Sequence, residues 1–191
     1  MAEEGFVRAD VYEKLTGHAQ YADDIYFPHM LYAVTVHAPH AHARILSIDA
    51  EQTKRMSGVA GVYTAADIPG ENQQPADKPM LADQVICSAG DGVAVVAAET
   101  LEQARAAAKK VRVEYQVLPA IFDPDLALQP DSVPLHGDSN LACEHIVSKG
   151  DMEKGFAQAD VILEREYQTQ RIQHAAIEAD VAVVVPEHGG I

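Results

Sequence analysis

"GVAVVAAETLEQARAAAKKVRVEYQV", residues 92–117, decides how the rest of the chain is read. Its first part, "GVAVVAAET", is a continuous apolar run of strand length, the pattern of a strand covered on both faces. Thr100 is followed three residues later by Gln103, the spacing at which two side chains cap a helix start reciprocally. The helix this predicts, "LEQARAAAKK", places Leu101, Ala104 and Ala108 on one face. Lys109 and Lys110 stand at its C-terminal end, where cations favour the helix dipole. "VRVEYQV" then alternates Val111, Val113, Tyr115 and Val117 against Arg112, Glu114 and Gln116, the period of a half-buried strand. The stretch reads as a β–α–β unit.

Upstream of it, "MLYAVTVHA" (residues 30–38) and "RILSIDA" (44–50) read as strands, joined as a pair or by a crossover. "EQTKRMS" reads as a short helix ended by Gly58, and "VAGVYT" (59–64) as a strand whose Gly61 marks a bulge or a close backbone approach. Residues 68–84, with three prolines and no apolar period, form a long loop. Downstream, residues 118–140 are rich in proline and aspartate and read as a surface linker. Asp151 caps a short helix with Met152, Phe156 and Ala159 on one side, "VILEREYQTQ" (161–170) is an amphipathic strand, and "VAVVV" (181–185) is an apolar one. The Gly189-Gly190 turn that follows leads into no second strand. The expected organisation is α+β: one domain over residues 1–125, a linker over 126–150, and over 151–191 the β-rich opening of a second domain, incomplete.

Composition limits the functions. Hydrophobic residues make up 48% of the 191, aromatics only 6%, and tryptophan is absent, so the core should be aliphatic and small-sided. A net charge of −15 repels phosphate backbones and anionic membrane surfaces, which excludes nucleic acid as an expected partner. No run approaches the length of a membrane span, and the acidic N-terminus has no secretory pattern, so a cytoplasmic location is expected. Cys87 and Cys143 stand far apart, without the spacing of a metal or iron–sulfur framework.

Several clusters invite a chemical reading. In "HAPHAH", His37, His40 and His42 offer zinc-type ligands, but in an extended chain His37 points away from the other two and Pro39 bends the segment. A free-standing metal-binding module using these three is one alternative for the chain's function; an acidic interaction domain is another. In "GHAQYADDI", Asp23 and Asp24 suggest an acid/base pair tuned by His18. Neighbouring side chains diverge, however, and aspartates commonly accept backbone N–H groups in turns, which favours a structural role. Gly90-Asp91-Gly92 precedes a strand rather than joining strand to helix, so it does not make a phosphate cradle. His174 and Glu178 share a side four residues apart, too far along a strand to chelate one ion directly; the pair suits a role behind a metal's direct ligands or a purely structural one. No catalytic residue, direct cofactor contact or metal ligand is expected in this chain.

The order of these stretches is more specific than any of them alone. "RADVYEKLTGHAQYADDI", then "LYAVTVHAPHAHARILSIDAEQTKRMSGVAGVYTAADIPGEN", then "GDGVAVVAAETLEQARAAAKKVRVEYQVLPAIFDPDLAL" resembles the N-terminal α/β-hammerhead domain of the molybdenum-binding large subunit of the xanthine dehydrogenase/aldehyde oxidase family. Thr16, Gly17, Ala19, Tyr21 and Asp24 are similar to a fold signature near that subunit's start. "FAQADVILEREYQTQRIQHAAIEAD" resembles the entry into the molybdopterin-binding domain. The resemblance implies an enzyme that hydroxylates an aldehyde or N-heterocycle with oxygen from water. Its electrons pass from molybdenum held by molybdopterin through iron–sulfur clusters to FAD, carried on other domains or subunits of an oligomeric assembly. It also implies that the reactive groups lie beyond residue 191, leaving this segment a structural role and no activity in isolation.

Overall fold

The computed structural model describes residues 8–72, 79–135, 137–177 and 180–187. They divide into two units: one is His29–Val147, and the other takes in the segments on either side of it.

The His29–Val147 unit is built from six strands. β1 (Tyr32–His37), β2 (Ala43–Asp49), β3 (Val59–Thr64), β4 (Val85–Ile86), β5 (Gly92–Ala98) and β6 (Arg112–Val117) form two three-stranded antiparallel sheets, ordered β1-β5-β3 and β4-β2-β6. The segment after Val117 carries one helical turn, α4 (Pro124–Ala127). The eight-residue helix α3 (Leu101–Ala108) joins the two sheets, and α2 (Glu51–Lys54) is a single turn between β2 and β3; α1 (Val11–Thr16) belongs to the flanking unit.

β5 is the organising strand. Val96 faces Val34 on one neighbour and Val62 on the other. Its faces feed two separate cores. Val93 packs with Ala38, Ala43, Ala82 and Ile86, while Ala94 and Val96 pack with Ala50, Val62 and Ala107. Val93, Val96 and Ile86 are completely buried, each contributing on the order of 1.5–3 kcal/mol by leaving water. The uninterrupted apolar run expected of a doubly covered strand therefore has its cause in a second core.

This arrangement corrects the β–α–β reading. Antiparallel partners occupy both edges of β5, so β6 has no place beside it and goes to the other sheet, against β2. β1 and β2 are separated in the same way, neither paired nor crossing over within one sheet. The helix face holds at Ala104 and at Ala108, which packs against the core, but not at Leu101. Ala104 and Ala107 are buried whereas Leu101 is exposed, because only small side chains allow α3 to lie close on the sheet. The capping box is formed as expected: Gln103 N–H donates to Thr100 Oγ1, and Thr100 N–H donates to Gln103 Oε1.

Two glycines are held by close approaches. Gly58, with φ +79°, lies against the Gln103 amide, and its carbonyl accepts from Glu99 N–H. A Cβ on Gly61 would meet Tyr63 Oη at 2.7 Å, and the β3–β5 register shifts at this residue. The expected loop at 68–84 is partly core: Leu81 and Ala82 are buried, and the Asn72 side chain both accepts from Leu81 N–H and donates to Leu81 O. Among the described residues, Thr53 Oγ1 is the one fully buried side-chain oxygen without a hydrogen-bond partner.

In the flanking unit, α1 (Val11–Thr16) and α5 (Met152–Ala157) are each six residues long. Asp151 Oδ1 accepts from Lys154 N–H, the expected cap, but Met152 and Phe156 stay exposed. The strands expected at 161–170 and 181–185 are not formed: both stretches are irregular, with no ladder to a neighbouring strand. Backbone N–H and C=O groups that face water gain nothing from strand geometry by itself.

Candidate functional site

The turn after α1 takes up the histidine and aspartates of "TGHAQYADD". Thr16 Oγ1 donates to Tyr12 O at 2.7 Å, and Gly17, with φ 75°, ends the helix. The backbone N–H groups of His18 and Ala19 both reach Glu13 O, and His18 Nδ1 lies 2.9 Å from Thr16 Oγ1. Asp24 accepts from Tyr21 N–H at 3.0 Å and fixes the following 3-10 turn. Asp24 is thus spent on backbone. Just upstream, Asp10 bridges Lys14 and Arg8; these bonds hold its carboxyl below the usual carboxylate range and raise the Lys14 ammonium.

The three histidines turn to three different partners. His37 Nδ1 donates to Gly90 O at 2.7 Å, and His42, nearly buried, donates through Nδ1 to Pro119 O at 2.6 Å. His40 meets the Tyr115 ring edge-on, with centroids 5.0 Å apart. Burial raises the Tyr115 hydroxyl above its ordinary pKa. Since both carbonyls are acceptors only, His37 and His42 carry their hydrogens on Nδ1. Their work is to pin the β4–β5 loop and the exit of β6. Among the described residues, no group of three or more His, Cys, Asp or Glu side chains could hold a metal ion.

Asp91 was legible only as a failed phosphate motif, and its role is different. Its carboxylate accepts from Cys87 N–H, Ser88 N–H and Ser88 Oγ at 2.9, 3.0 and 2.6 Å, closing the loop that carries Gly90. Cys87 Sγ donates to Leu135 O at 3.3 Å. Asn140 binds three backbone groups: it accepts from Leu135 N–H and donates to Ala127 O and Val133 O. Sequence spacing gave no signal for these anchors beyond the general preference of Asp and Asn for turns.

His174 lies on irregular, exposed backbone next to Ala175, whose φ is 50°. Glu178, its expected companion, lies outside the described residues. Over 135–187 no described residue is fully buried.

Two antiparallel sheets joined by a short helix, with a largely uncovered segment following, match known proteins in the order expected. The profile of the aldehyde oxidase and xanthine dehydrogenase a/b hammerhead domain covers residues 16–119, and that of the molybdopterin cofactor-binding domain covers residues 135–191. The chain belongs to the aldehyde oxidase and xanthine dehydrogenase family. It is similar to a probable xanthine dehydrogenase subunit of Bacillus subtilis, 37% identical over 96% of this chain and 25% of that protein. It is likewise similar to the nicotinate dehydrogenase large molybdopterin subunit of Eubacterium barkeri, 36% identical over 97% of this chain and 44% of that one. Among solved structures, the aldehyde oxidoreductase of Desulfovibrio gigas matches with a TM-score of 0.72 and 34% identity, over 81% of this chain and 19% of its own. The chain therefore spans less than half the length of these relatives.

Proposed function

We propose that this chain serves as the N-terminal part of the large subunit of a molybdenum hydroxylase. The parent enzyme oxidatively hydroxylates an N-heterocycle or aldehyde with oxygen taken from water. The hammerhead occupies about residues 1–125, a linker 126–150, and the opening of the molybdopterin-binding domain 151–191. Molybdopterin with its molybdenum is held by the rest of the subunit, and iron–sulfur clusters and FAD by other domains or subunits. His174 and Glu178 stand behind the cofactor's direct contacts. The assembly is oligomeric and cytoplasmic; among the described residues no helix is long and apolar enough to cross a membrane.

The observation that carries this reading is the succession of two family matches over a chain whose candidate chemical groups are engaged in structure. His37, His42, Asp24 and Asp91 each hold backbone, which suits a framework. The test is to assay the purified chain with hypoxanthine and simple aldehydes and an electron acceptor, alone and with the remainder of the subunit and its cofactor-bearing partners. Turnover is expected only in the second case; turnover by the chain alone would overturn the reading.

A further inference from the structure

The two cysteines are far apart in sequence but serve one region of the His29–Val147 unit. Cys87 directly follows β4, next to the fully buried Ile86, and its half-buried Sγ donates to Leu135 O at 3.3 Å. Leu135 N–H donates in turn to Asn140 Oδ1 at 2.8 Å, and the Asn140 amide donates to Ala127 O and Val133 O. Leu135 and Asn140 are therefore held together, beside Cys87. Cys143 stands three residues beyond Asn140 and is exposed.

Three residues of extended chain span about 10 Å at most, and a disulfide needs its two Cα atoms about 4.4–6.8 Å apart. With Asn140 fixed, the adjustment that brings the two sulfurs together falls on Leu141, Ala142 and Cys143. All three are exposed and lie outside any helix or strand, so it costs no core packing and no ladder. One bond resists it, from Leu141 N–H to Ser139 Oγ at 3.0 Å. The thiols also differ as a sensing pair requires: one is open to an oxidant, and the other is half-shielded near it and can resolve the product.

We propose that Cys143 is a peroxide-sensing thiol and that Cys87 resolves it into a reversible disulfide, which turns the hydrogen-bonded attachment between Cys87 and the segment around Leu135 and Asn140 into a covalent one. The Cys143 thiolate attacks one oxygen of hydrogen peroxide and the O–O bond breaks. The other oxygen leaves as hydroxide and takes up the proton that the thiol released, giving water and a sulfenic acid. The Cys87 sulfur, its proton lost to solvent, then attacks the Cys143 sulfur; the S–S bond forms, the S–O bond breaks, and the sulfenic oxygen leaves as water. The two thiols lose two electrons and the peroxide gains them. A bond formed in an exposed segment is of the labile, regulatory kind that a reducing compartment still allows. The step uses neither molybdenum nor pterin, so it stands or falls apart from the parent-enzyme reading.

The test treats the full 191-residue chain, dilute and reduced, with equimolar hydrogen peroxide. The expected product is a single chain lighter by two hydrogen atoms, with the Cys87 and Cys143 peptides joined after digestion and separated again by dithiothreitol. Its thermal midpoint should rise by at least about 4 °C, since a cross-link closing so long a loop restricts the unfolded chain. C87S, whose hydroxyl can still donate to Leu135 O, should stop at the sulfenic acid, trapped on Cys143 by dimedone; C143S should keep Cys87 reduced. Circular dichroism checks that both variants are folded, and the wild-type product needs no variant. The proposal is overturned if both thiols of the wild type stay reduced, or if Cys143 gains oxygen while Cys87 stays reduced. It is equally overturned if the disulfide joins two chains instead, or if the joined product melts no higher than the reduced chain.

Discussion

The two units have similar raw material and opposite outcomes. In His29–Val147, valines and alanines of β5 vanish into two cores, with Val93, Ala94, Val96 and Ala98 all at 0% exposure. In the flanking segments, Val161, Leu163, Tyr167 and Ile172 are 75, 76, 87 and 76% exposed, and no described residue is buried. An apolar strand pattern becomes a strand only when another element supplies hydrogen-bond partners and a face to cover. So much uncovered apolar surface is the mark of an interaction face.

The sharpest way to break this contrast is to delete side chains from each side of it. Ile86→Ala removes a fully buried side chain from the core shared with Val93 and should cost about 2–5 kcal/mol, measured by urea denaturation. Leu163→Ala, at an exposed site, should stay within about 0.5 kcal/mol. Equal losses would mean that the second unit has a core of its own.

A smaller effect separates two glycines with nearly the same backbone. Gly58 has φ +79° and Gly150 φ +81°, so alanine is strained at both, by about 1–2 kcal/mol. Only at Gly58 does a new Cβ also run into a side chain, the Gln103 amide that caps α3; Gly150 faces open space. Gly58→Ala should therefore lower the thermal midpoint of the His29–Val147 unit, while Gly150→Ala leaves that transition in place. A shared shift would show that the two units melt as one.

What could be read in advance follows the same division. The Thr100–Gln103 box, the Asp151 cap and the bulge at Gly61 were legible because each is written within a few residues. The pairing of β5 with β1 and β3, and of β6 with β2, was not, because partner choice depends on edges occupied by residues far away in sequence. The expected strands at 161–170 and 181–185 failed for a related reason: alternation specifies a face but not the element that covers it. At the candidate site, the structural roles of Asp24 and of the divergent histidines were legible from backbone geometry. The Asp91 and Asn140 anchors were not, since a turn-forming side chain does not announce which backbone groups it will meet.

The finest comparison is between two carboxylates, one in each unit, both held below the usual range for different reasons. Asp10 is depressed chiefly by its hydrogen-bonded pairing with Lys14 and then Arg8, both well exposed. Asp67 is depressed by the backbone N–H and then the hydroxyl of Thr64, at 2.7 and 3.0 Å, neither of them a charge. For each, a lowered folded-state pKa means stabilisation that is complete above the unfolded-state value and is lost as pH falls through the folded-state one. Salt separates them, because it screens exposed ion pairs and leaves neutral hydrogen bonds nearly untouched. Carboxyl titrations followed by NMR should show Asp10 returning toward the ordinary value at about 1 M salt while Asp67 stays low. A parallel return of Asp67 would mean that Lys54, the weakest of its influences, outweighs the Thr64 bonds.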